Sequence, residues 1–193
     1  MIRSDLLHKQ IQSQVFKEPK ITAHVDKQMN IFFDRAKKDM LTEFDTHPVT
    51  KDLNNEMNSG VISKGSLFGF LGFLDGDAPA EELRNFLEKS CKIRIAVSSK
   101  QKPIRTYAVD IPDKEDIYKA TPLPWAPGRS WVKSIEHGIS GIGKYLDISS
   151  DASRSGEGIQ TKTDTGGVFR NTSYISTILN NFKKKLLGAN FSI

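Results

Sequence analysis

The sequence predicts an α+β protein, a small twisted antiparallel sheet packed by a long N-terminal helix and a C-terminal helix, with an extended arm and long loops. Three stretches carry that expectation. In ITAHVDKQMNIFFDRAKKDMLTEF, residues 21–44, the apolar Val25, Met29, Phe32, Phe33, Ala36, Met40 and Phe44 recur at steps of three and four, which gathers them on one stripe of a helix. KIRIAVSS and IRTYAVDIP, either side of a turn-like SKQKP, alternate as two strands of a hairpin. TSYISTILNNFKKKLL returns to helical spacing through Tyr174, Ile178, Leu179, Phe182 and Leu186, with Gly188 as its stop.

The remaining elements follow in order. Residues 1–20 mix polar and isolated apolar residues and read as an N-terminal arm that orders on a neighbour, leaving residues 21–193 as a single α+β structural domain. Thr22 is the expected N-cap of the first helix, and residues 46–66 carry no period and read as a loop or outward hairpin. GSLFGFLGFL places glycines inside an aromatic run, the pattern of a buried strand or irregular segment with close backbone approach. DGDAP is turn chemistry, with Asp77 and Pro79 starting a short helix that turns Leu83, Phe86 and Leu87 inward. Residues 112–128 hold four of the eight prolines and predict an extended excursion. RSWVKSIEHGI alternates and predicts another strand. Residues 147–167 read as a long loop with a short strand at GIQTK, and Thr172 or Ser173 caps the last helix.

At 193 residues, 37% of them hydrophobic, the chain can build one core, and a second full domain is not expected. No apolar run approaches the ~18 residues of a membrane span. Asp5, His8, Lys9 and Gln10 interrupt any secretory leader, so a soluble protein, cytosolic where it is made, is expected. The single Cys91 excludes an internal disulfide and a multi-cysteine metal site. Net charge is +5, and the excess lies at the C-terminal end, where Arg170 and Lys183, Lys184 and Lys185 face no acid from residue 165 onward.

HGISGIGKYL matches G-x-x-x-x-G-K at Gly138, Gly143 and Lys144. A phosphate loop also needs a buried strand before it, a helix after it and a hydroxyl following the lysine. Position 145 is tyrosine and the preceding residues alternate, so Gly138, Gly141 and Gly143 are read as points where a strand bends. His8, His24, His47 and His137 are scattered without ligand spacing, Asp75 and Asp77 lack the remaining ligands of a calcium loop, and Cys91 has no signature around it. No catalytic residue, cofactor or metal is therefore expected.

A resemblance adds to this. The stretches W-x-x-x-I-E-x-G-I-S-G (131–141), GIQ-x-K (158–162) and F-x-x-T-S-Y-I-S-x-I-L-x-x-F-K-K-K-L (169–186), following a long N-terminal helix, resemble the virion morphogenesis and tail-completion, or head-tail joining, proteins of tailed bacteriophages. SLFGFLGFLDGDAP is similar to a segment of neck and tail proteins of contractile-tailed phages. The resemblance spans about residues 24–187. It implies that Trp131, Ile135, Glu136 and Gly138 lie on a sheet strand, that Tyr174, Ile175, Ile178 and Phe182 lie on a packing helix, and that loops 46–66 and 147–167 reach adjacent rings. It implies a non-enzymatic homo-oligomeric ring of the virion neck or tail, hexameric by expectation, assembled in the host cytoplasm against other neck and tail proteins, with DNA passing its lumen.

Phe68, Phe70, Phe73 and Trp125 are then candidate interface anchors, and Lys183, Lys184 and Lys185 candidate contacts to an acidic partner. The alternative reading is a DNA-binding or packaging accessory protein that uses the basic C-terminal helix.

Overall fold

In the computed structural model the described residues are 14, 18–54, 67–96, 105–137, 146–147, 159–160 and 173–188. Helix α1 spans Pro19–Thr46. Pro19, read as the end of the arm, opens it, since the first helical position needs no N–H and proline already has the required φ. Thr22 is not the cap: Glu18 holds that position, and the Thr22 hydroxyl donates to the Pro19 carbonyl at 3.0 Å. The buried face is Phe33, Ala36, Met40, Leu41 and Phe44.

His47, held extended by the proline after it, separates α1 from α2, Pro48–Leu53. The start of the expected loop is therefore helix, with Val49 and Leu53 buried; residues 55–66 lie outside the described residues. Within GSLFGFLGFL the described residues begin at Leu67 and form a single helical turn, α3 (Leu67–Phe70), running into a turn at Gly72 with φ +79°. Helix α4, Pro79–Ser90, buries Leu83 and Leu87, with Glu81 and Glu82 in its first turn, where negative charge is favoured. Asp77 closes the preceding turn by accepting the Leu74 N–H at 2.7 Å.

Strands β1 (Lys92–Ile95) and β2 (Tyr107–Asp110) form the expected antiparallel pair, with Ile93 opposite Val109. Two expectations fail beyond it. The proline-rich stretch is helix α5, Lys114–Ala120, then a hairpin of β3 (Pro122–Leu123) and β4 (Ala126–Ser130). Its prolines bracket nine residues, enough for a helix started by a capping box in which the Asp113 carboxylate accepts the Asp116 N–H at 2.8 Å. The strand expected over 131–137, on which the resemblance placed Trp131, Ile135 and Glu136, is instead helix α6, Trp131–His137. Ser130 Oγ accepts the Lys133 N–H at 3.1 Å and starts it, and Trp131, Val132 and Ile135 bury one helical face.

A third ladder joins β5 (Leu146–Asp147) to β6 (Ile159–Gln160), within GIQTK. Helix α7, Ile175–Leu187, buries Ile175, Ile178, Leu179 and Phe182, and Gly188 caps its C-terminal end. The class is α+β, but among the described residues the sheet is divided into three two-stranded ladders. Each is too short to present a broad apolar face, so α1 and α7 pack on each other directly, Phe33 and Phe182 with ring centres 6.1 Å apart. They run antiparallel: Asn181 donates to Glu43 and Lys185 pairs with Asp39.

Candidate interaction site

The centre of the molecule is an aromatic joint at the N-terminal end of α7. Tyr174 is fully buried, its ring 5.8 Å from Phe44, 4.8 Å from His47 and 6.4 Å from Trp131. Its hydroxyl shares a 2.7 Å hydrogen bond with Thr50 of α2, and burial pushes its pKa up. His47 Nδ1 accepts the Val49 N–H at 3.2 Å, which requires a neutral imidazole; burial lowers its pKa accordingly. Tyr174 rather than the expected Ser173 holds the N-cap position of α7, without a side-chain cap, and the other expected cap, Thr172, lies outside the described residues. A carboxylate from another helix starts α7: Glu136 Oε1 accepts the Ser176 N–H at 2.6 Å and the Ser176 hydroxyl at 2.7 Å. Glu136, read from the sequence as one face of a strand, ties α6 to α7.

From this joint a line of rings leads to the surface. Trp131 lies edge-on to Phe73 at 6.3 Å, and Phe73 packs on Phe68 at 5.4 Å. Phe68 and Phe73 are each 5% exposed, so two of the expected interface anchors are core residues of their own chain, and Phe70 is half-buried against that core. Trp125 is the one the structure leaves outward, 54% exposed. Its indole N–H donates to the Leu71 carbonyl at 3.0 Å, and its ring lies over Gly72, where a Cβ would stand 2.9 Å from Cδ1. Leu74, two residues on, is exposed as well.

The candidate lysines divide. Lys185 is committed to Asp39, while Lys183 and Lys184 are exposed beside Leu187, which is 88% exposed. Sequence reading missed Leu74 and Leu187, since an apolar residue inside a helix or a turn gives no sign of which way it faces.

Between α5, α6 and α7 lies a cleft of about 330 Å³, with Lys114, Tyr118, Glu136 and Lys183 in its lining. The Tyr118 hydroxyl is buried there without a hydrogen-bond partner among the described residues, and burial, ahead of the Glu136 charge, raises its pKa. Lys133 lies over the Tyr118 ring at 5.5 Å. Cys91 is 1% exposed with its thiol pushed up to about 11, chiefly by burial. Among the described residues no group of three or more His, Cys, Asp or Glu is placed to hold a metal, and no helix is long and apolar enough to cross a membrane. Gly138, Gly141 and Gly143 lie outside the described residues, and helix α6 stands before them where a phosphate loop requires a strand.

No family model matches the chain, and no match is found among curated proteins or solved structures.

Proposed function

We propose that the chain is a structural, non-enzymatic component of a tailed-phage virion, a ring-forming head-tail joining, neck or tail-completion protein. The reading is supported most by the Glu136–Ser176 joint. The W-x-x-x-I-E and T-S-Y-I-S-x-I-L stretches, which carry the resemblance, lie 40 residues apart in sequence and meet in one packed unit around Trp131 and Tyr174. In this reading the unit is the rigid body of each subunit, and ring contacts are made by what it holds outward, Trp125 foremost. The basic helix as a DNA surface is the weaker reading, because Lys185 is already paired with Asp39.

The test is the mass of the purified protein by light scattering over a wide concentration range, with negative-stain imaging of the largest species. The expected outcome is a closed ring, six subunits being the expected number, in equilibrium with monomer. A protein that stays monomeric at every concentration overturns the reading.

A further inference from the structure

We infer that each subunit docks head to tail on the next, the exposed ledge of Trp125 and Leu74 on one copy seating against Lys183, Lys184 and Leu187 at the end of α7 on its neighbour. The inference rests on the ring reading and deepens it by naming the surfaces that meet.

The ledge has the character of a binding anchor. A half-exposed tryptophan normally loses side-chain freedom when a partner immobilises it, a cost subtracted from affinity. Trp125 has lost that freedom already, because its N–H is held by Leu71 and its ring lies in the space left by the missing side chain of Gly72. Pinned aromatic residues at the centre of a patch carry a large share of binding energy. The ledge is also acidic: residues 75–82 carry Asp75, Asp77, Glu81 and Glu82 and no lysine or arginine, all four exposed. Arg129 is the lone base of the hairpin 122–130.

The end of α7 is its complement. Leu187 is 88% exposed, and Lys183 and Lys184 stand four and three residues before it, which places the three side chains together on the helix surface. An apolar anchor among cations faces an apolar anchor among anions, the arrangement that fixes partner choice and speeds encounter. A second copy's ledge is excluded by the same charges, since acid would face acid.

Position makes the contact head to tail. The ledge connects through Phe73 and Trp131 to Tyr174, at the N-terminal end of α7. Leu187 is the last of that helix's 13 residues, about 20 Å further along at 1.5 Å per residue. A patch at one end of a subunit and its complement at the other form a heterologous contact, which repeats from copy to copy and gives a ring where the rotation closes.

The experiment is sedimentation velocity on the wild-type chain, on Trp125→Ala, on Leu187→Glu and on an equimolar mixture of the two variants, with circular dichroism to verify folding. Each variant alone should need at least tenfold more protein to assemble. The mixture should stop at dimers, because each pair of chains retains one intact ledge and one intact helix end. Rings that persist in Leu187→Glu overturn the inference, as does a mixture that stays monomeric while the wild type assembles. A wild-type monomer overturns the ring reading itself. Leu187→Glu changes a side chain that packs on almost nothing, so its result stands even where Trp125→Ala loosens the turn at Gly72.

Discussion

From Phe33 to Phe44, α1 is fastened by apolar burial against α7 and the Tyr174 joint, whereas from Pro19 to Phe32 the same helix has no fully buried residue and is fastened by charge. There the Asp26 carboxylate receives Arg105 through both oxygens and the Tyr107 hydroxyl at 2.6 Å, which attaches the β1–β2 hairpin to the helix. One continuous helix is thus held along its length by two forces with different sensitivities. The apolar half depends chiefly on burial, its exposed Lys185–Asp39 pair adding little. The polar half depends on salt and pH, because ionised partners are screened and can be protonated.

The largest effect belongs to the apolar half. Phe44→Ala empties a site 1% exposed beneath the Tyr174 ring and should cost about 3–5 kcal/mol of global stability in urea unfolding. A loss under about 1 kcal/mol would show that the joint is not the centre of the core.

Next comes the carboxylate that joins α6 to α7. Glu136→Ala leaves the Ser176 N–H and hydroxyl without their acceptor and should cost about 1–3 kcal/mol. Glu136→Gln keeps an acceptor oxygen and should recover much of the loss; equal losses in both variants would place the effect in charge rather than in the hydrogen bond.

The smallest effect sharpens the comparison. Asp26→Asn should cost about 1 kcal/mol, since the cluster is partly solvated. The loss should appear as faster amide exchange at Tyr107 and Val109 with little change in the global midpoint. The hydrogen bond from Arg105, opposed by burial and aided by Tyr107, holds the Asp26 carboxyl below its usual value of 3.8. Its contribution is therefore complete above that usual value and is lost as pH falls from there through the lower folded value. Hairpin protection should fall over that window in the wild type and stay flat in Asp26→Asn.

Legibility in the sequence followed the length of each pattern. Over the 28 residues of α1 and the 13 of α7, helical spacing has no rival: Ile178, Leu179 and Phe182 of α7 and Phe33, Ala36, Met40 and Phe44 of α1 are buried as the stripes predict, while Val25, Met29 and Phe32 are only half-buried and Leu41 was missed. Over the seven residues of α6 it has one: Trp131 and Ile135 share a face whether the period is two or 3.6, and the hydroxyl of Ser130 decides the matter from outside the pattern. The prolines at 112 and 122 masked α5, whose capping box fits entirely between them. The site was less legible than the fold. Glu136 meets Ser176 and Thr50 meets Tyr174 across 40 and 124 residues, and no local pattern encodes such meetings. The apolar run announced burial correctly at Leu67, Phe68, Leu71 and Phe73 but not at the exposed Leu74, and whether burial falls within a chain or between chains is set by the neighbours of Phe68 and Phe73.

Gly72 sets a limit on how this molecule can vary. Its φ of +79° is one that side chains rarely adopt, and the volume a side chain would fill is taken by the indole of Trp125. Positions 72 and 125 cannot drift independently: any larger residue at 72 strains the turn and evicts the ring, and any smaller residue at 125 leaves a hollow over the glycine. Among descendants of this chain the two should be kept or lost as a pair.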